Sequence, residues 1–317
     1  MILDTVKNLR VQITLKGGSM RLFCTLILLI FVAAIPQLVS AEPAKTIDEL
    51  VAPYDSSNCA ECHEDAHASW AESWHSKSVT DSRVLRAWRT FILSGLDGSE
   101  QAKRRDLKDI CMPCHVPAVK KVSITDELAV EISNLVVTAV DDKDAAKRDA
   151  AKKELGKLNI NCLGCHNIDG SADGKSLPNT IYGPGDAEDP PHKEEFGYDT
   201  VKSPFMKTSG FCKSCHHGCP PDMPSSICPT LWTSYEEAYL GHGGDKTCQQ
   251  CHMQGEPNGS NHRFPGIYEK DFAATGVDLK VSASPTEVVD FMNNVTQPAV
   301  VMNIQLKNTS GHGIPHG

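Results

Sequence analysis

One pattern constrains what this chain of 317 residues can fold into: C-x-x-C-H, written five times. The copies are Cys59-Ala60-Glu61-Cys62-His63, Cys111-Met112-Pro113-Cys114-His115, Cys162-Leu163-Gly164-Cys165-His166, Cys212-Lys213-Ser214-Cys215-His216 and Cys248-Gln249-Gln250-Cys251-His252. This is the attachment pattern of haem c, in which two thiols add to the vinyl groups and the following histidine is placed to ligate iron. A single copy also reads as a redox dithiol or half a zinc site. Five copies, each with its histidine directly after the second cysteine, set the expectation of five covalently attached haem c groups. Cys59, Cys62, Cys111, Cys114, Cys162, Cys165, Cys212, Cys215, Cys248 and Cys251 are then the thioether residues. His63, His115, His166, His216 and His252 are the proximal iron ligands.

Large side chains are scarce, with four Trp, six Tyr and nine Phe. Alone they would build a thin core, so haem and protein are expected to share one interior. The formal charge of -9 argues against a nucleic-acid partner, because phosphate neutralisation needs a cationic surface. An acidic surface suits docking to basic redox partners, or serves solubility alone. Of thirteen cysteines, ten sit in the motifs and Cys24 lies in an N-terminal apolar stretch. Cys219 and Cys228 remain as a disulfide candidate in a proline-rich loop, with free thiols as the alternative.

Arg21 precedes an apolar run from Leu22 that ends in the small residues Val39-Ser40-Ala41. Residues 1–41 therefore read as a secretory signal peptide cleaved after Ala41, with Met20 an alternative start. The protein is expected in the periplasm or outside the cell. The rival reading is a retained anchor, the one route to membrane association, since the run is almost long enough to span.

The fold class expected is mainly α with long loops, wrapped around a haem stack, with a small C-terminal β module. Residues 42–270 form the pentahaem domain and 271–317 the β module. Within the first, Glu64 to about Leu93 reads as one helix, from the recurrence of Trp70, Trp74, Val84, Leu85, Trp88 and Ile92. Residues 125–158 read as another, capped by Thr125 and carrying Leu128, Ile132, Leu135 and Val136 on one face. The Gly- and Pro-rich stretch from Asn167 to Pro204 reads as loop. Further on, Val277, Leu279, Val281 and Ala283, then Met302, Ile304 and Leu306, alternate with polar residues as two half-buried strands. Two strands are unstable alone, so they pack on the haem domain or belong to a chain shortened relative to its relatives.

Low-spin electron carriers need two strong axial ligands. The distal candidates are His75, His192, His242, His262 and His312. His67 shares a helix face with His63, His217 directly follows a proximal ligand, and His316 is the last residue but one. Met112, Met253 and Met302 are the sulfur alternatives, which would raise the potential.

Cys59 to His75 places Trp70, Ser73 and His75 in a W-x-x-S-x-H arrangement after the first motif. His242 stands just upstream of the fifth motif, and His262-Arg263-Phe264-Pro265-Gly266 follows it. These features resemble the multihaem cytochrome family typified by tetrahaem cytochrome c-554 of nitrifying bacteria, here in a pentahaem variant. The resemblance implies distal ligation by His75, His242 and His262. Gly311-His312-Gly313-Ile314-Pro315 is similar to a segment of larger multihaem relatives, in which a β module follows the haems.

The function expected is electron transfer along stacked, mostly bis-His haems between redox partners, quinol-linked or other cytochromes. No residue cluster specifies a reaction. The alternatives are a reductase or oxidase of a small nitrogen or sulfur compound at one open haem, and a subunit of a homo-oligomer or extracellular cytochrome filament.

Overall fold

The computed structural model describes residues 42–92, 99, 104, 108–109, 111–168, 179–185, 191–217, 231–255 and 261–314. All but Glu42 belong to one unit, Pro43–Gly317. The signal segment, the Cys219–Cys228 pair and His316 lie outside the described residues. The architecture is mainly helical with a small antiparallel strand pair near the C-terminus. Among the described residues no helix is long and apolar enough to cross a membrane.

Helix α1, Ile47–Val51, is capped by the Thr46 hydroxyl, which accepts from the Glu49 amide. It buries Ile47 and Leu50. Helix α2, Glu64–Glu72, ends at Ser73, whose backbone turns extended at ψ 162°. The Ser73 hydroxyl accepts from the Ser76 amide, and the Ser76 hydroxyl donates to the carbonyl of Ser73. The single helix expected to Leu93 is therefore broken. A 3-10 turn at His75–Lys77, helix α3 at Ser82–Ala87 and a π turn at Trp88–Ile92 follow. Local serine hydrogen bonds compete here with the helix ladder, and they win.

The second expected helix is a pair. Helix α4, Asp126–Asp141, is capped by Thr125 and buries Leu128, Ala129, Ile132, Ser133, Val136 and Ala139. It stops at Asp142, which is extended; Asp144 then caps helix α5, Ala145–Gly156, by accepting from the Ala146 amide. Helix α5 buries Ala151 and Leu155 against the same core, which also takes in Leu50, Val79, Leu85, Trp88, Met112 and Val116.

The stretch read as loop holds ordered structure. Strand β1, Thr180–Gly183, pairs in parallel with β2, Asp199–Lys202. Helix α6, His192–Phe196, lies between them and ends at Gly197, whose φ of 73° suits the residue without a Cβ. Thr180 and Tyr182 are buried. Strands this short in a Gly- and Pro-rich stretch carry no alternation to read.

After helix α7, Lys270–Thr275, the chain forms a long hairpin. Strand β3, Val277–Asp290, pairs antiparallel with β4, Val295–Asn308, from Val277 opposite Asn308 to Asp290 opposite Val295. The strands are longer than the alternation indicated, and they are exposed rather than half-buried. Leu279, Val281, Ile304 and Leu306 all keep more than half their surface open. The ribbon is tied at its base, where the Thr309 hydroxyl donates to the Thr275 carbonyl.

Candidate metal centres

Each motif occupies a short helical turn. Asn161 caps the third by accepting from the Gly164 amide, and Thr247 closes a capping box with Gln250 at the fifth. The turns converge. The thiol of Cys59 lies beside that of Cys162, that of Cys114 beside Cys215 and that of Cys212 beside Cys248. That contact lowers Cys162, Cys215 and Cys248 and raises their partners. Motif 4 thus touches motifs 2 and 5, and motif 1 touches motif 3.

The histidines meet in pairs. His63 faces His192 with ring centres 5.9 Å apart, and His75 faces His216 at 6.2 Å. His166 faces His262 at 6.2 Å, and His252 faces His312 at 6.2 Å. A metal–imidazole bond is about 2.0 Å and the ring centre lies about 1.1 Å beyond the nitrogen, so rings flanking one metal ion stand about 6.2 Å apart. All four pairs fit an iron between them.

Hydrogen bonds to the remote ring nitrogens orient the rings. Nδ1 of His166 bonds the Tyr182 carbonyl at 2.9 Å, that of His252 the Pro265 carbonyl at 2.7 Å, and that of His115 the Ser78 carbonyl at 2.8 Å. His192 Nδ1 lies 3.0 Å from the Thr200 hydroxyl, and His312 Nδ1 lies 2.8 Å from the Gly313 carbonyl. A proton held on Nδ1 leaves the lone pair on Nε2, the nitrogen free to bind a metal. Burial, aided by His216 and His252, pushes His75 down to about 4. Burial also lowers His166, His192, His216 and His252. These rings are neutral at pH 7, as metal binding requires.

The fold explains each delivery. The break at Ser73 turns His75 away from motif 1 and toward motif 4. The small parallel sheet carries Tyr182 on one strand and Thr200 on the other, so it holds both His166 and His192. Phe264 adopts a φ of 51°, uncommon for an aromatic residue. Its ring packs edge-on to His75 at 4.6 Å and to His262 at 6.0 Å. Ser78 and Tyr182 were absent from the sequence reading, since nothing in their surroundings marks them.

Two members of the expected set stand apart. Among the described residues no motif histidine pairs with His242, which is exposed and whose Nδ1 lies 3.1 Å from the Glu237 carbonyl. Among the described residues His115 faces no second histidine either. The ring beside it is that of Trp88, at 6.4 Å and tilted by 53°. His67 packs on Trp70 at 5.3 Å.

Residues 58–133 match the family model described as cytochrome c554 and c-prime. No curated protein matches the chain. Its fold is similar to the crystal structure of a penta-heme cytochrome c552 from Thermochromatium tepidum, with a TM-score of 0.50 and 19% identity. The match covers 83% of this chain and 67% of that one. With five C-x-x-C-H motifs, a family segment over residues 58–133 and this fold, the chain is similar to multihaem c-type cytochromes.

Proposed function

We propose that the chain holds five haem c groups, one at each motif, and carries electrons between redox partners outside the cytoplasm. Haem c supplies a one-electron iron couple whose potential follows its axial ligands and burial. The observation that carries this reading is the set of four imidazole pairs at 5.9–6.2 Å. Here His63, His216, His166 and His252 are the proximal ligands, and His192, His75, His262 and His312 the respective distal ones. Two imidazoles per iron favour low-spin centres that change little on reduction, which suits a carrier. Contacts between thiols of motifs 1 and 3, 2 and 4, and 4 and 5 support two groups of neighbouring haems, with motif 4 between 2 and 5 in the larger one.

Motif 1 is the candidate port to a partner. Cys62 and His63 are exposed, and so are Asp55, Glu61, Glu64, Asp65, Glu194 and Glu195 around them. Two separate segments thus supply an acidic rim that would steer a basic redox protein toward this attachment site.

A second reading has one observation behind it. His115 meets Trp88 instead of a histidine, so the motif 2 iron would keep one axial position free of chain ligands. That is what a reductase or oxidase of a small nitrogen or sulfur compound would need. Intact mass and electron paramagnetic resonance of the oxidised protein test both readings. Five haems with four low-spin irons and one high-spin iron are expected. Fewer covalent haems, or fewer than four low-spin irons, would sink the carrier reading.

A further inference from the structure

We infer that Trp88 is the residue that keeps the motif 2 iron short of a second ligand and shields it from small molecules. The inference rests on the reading of motif 2 given above. Its indole stands 6.4 Å from the His115 ring, close to the 5.9–6.2 Å at which the other four motif histidines meet their partners. The indole therefore fills the seat that an imidazole fills elsewhere.

It fills that seat without being able to bind metal. Indole nitrogen carries a proton and has no lone pair to give, whereas neutral imidazole has one. Trp88 is 2% exposed and belongs to a core that includes Leu85 at 1% and Leu128 at 0%. Swinging the ring away would open a void in that core, so the seat stays filled. His115 is fixed on the other side, with Nδ1 on the Ser78 carbonyl and its own carbonyl accepting from the Ser78 hydroxyl at 2.9 Å. The Trp88 Nε1–H is buried and has no acceptor among the described residues. A buried indole donor left unmatched is costly for packing alone. It points to a position held for the site beside it.

The consequence is a five-coordinate iron closed to bulky ligands, with entry of small ones set by one side chain. Trp88→Ala should empty the seat, and added imidazole should then take it. In wild type one iron in five is expected to stay high-spin at imidazole concentrations that convert it fully to low-spin in Trp88→Ala. The four remaining low-spin signals report that the variant has folded. Equal conversion in wild type and variant overturns the proposal while leaving the motif 2 reading intact. Five low-spin irons in untreated wild type overturn that reading, and the proposal with it. Should Trp88→Ala fail to take up haem, Trp88→Phe gives up only part of the ring. Carbon monoxide should then reach its reduced high-spin iron faster than in wild type, and an unchanged rate overturns the proposal.

Discussion

Asn159 is the side chain whose removal should do most to loosen the fold from outside the haem motifs. Its Oδ1 accepts from the amide of Val79 at 2.8 Å and from that of Thr80 at 3.3 Å, and its Nδ2 donates to the Thr80 hydroxyl at 3.1 Å. Next to it, the Ser78 hydroxyl accepts from the Ile160 amide at 3.0 Å. Together these bonds clamp the segment whose Ser78 carbonyl orients His115. Asn159→Ala strands two backbone donors, one of them on Val79, which is fully buried. A buried donor left unsatisfied costs about 1–3 kcal/mol, and the longer bond to Thr80 adds less, so a loss of about 2–4 kcal/mol is expected. At a urea slope of about 3 kcal/mol/M the unfolding midpoint of the haem-loaded protein falls by about 1 M. Asn159→Asp keeps the acceptor and should cost under about 1 kcal/mol. Circular dichroism of the three proteins through a urea titration provides the comparison. A midpoint for Asn159→Ala within about 0.3 M of wild type would refute the reasoning, as would equal losses for the two variants.

Replacing His75 by Ala should leave the iron at His216 with one imidazole, adding one high-spin centre and raising carbon monoxide uptake by one per chain; unchanged uptake would break the proposed pairing. The double change Cys59→Ser and Cys62→Ser should lower the intact mass by one haem while the other attachments persist. Neutralising the rim with Glu61→Gln, Glu64→Gln and Asp65→Asn should slow electron exchange with a basic cytochrome at low salt and flatten its ionic-strength dependence. Stopped-flow mixing at two salt concentrations decides that point.

The C-x-x-C-H motifs were legible because their residues are contiguous. Helix α4 was legible too, since Leu128, Ile132 and Val136 repeat at its period and Thr125 announces its start. Its end was not: Asp142 and Asp144 act through local bonds that a charged, alanine-rich stretch does not advertise. The break at Ser73 was hidden for a different reason. Trp70, Trp74 and Trp88 keep a roughly helical rhythm across it, while the deciding contacts are those of Ser73 with Ser76. Identifying the histidines as a class was straightforward, yet matching them was beyond local reasoning. The ring facing His166 comes from after motif 5, and the one facing His216 from before motif 2. His242 illustrates the same limit, because standing near a motif in sequence does not bring it opposite a motif histidine. Trp88 looked like one more apolar residue on a helix face until its distance to His115 was known.

The facing rings also set an order of manufacture. His63 waits for His192, His75 for His216, His166 for His262 and His252 for His312, and the first three intervals overlap along the chain. A polypeptide made from its N-terminus can fill its early attachment sites at once, but their second axial bonds must wait for later segments to arrive. The maturing protein would thus pass through reactive forms in which the paired irons are still half-ligated, until the segment carrying His312 docks. Pulse-labelled intermediates should therefore bind more carbon monoxide per chain than the finished protein, in which only the motif 2 iron would keep an open position.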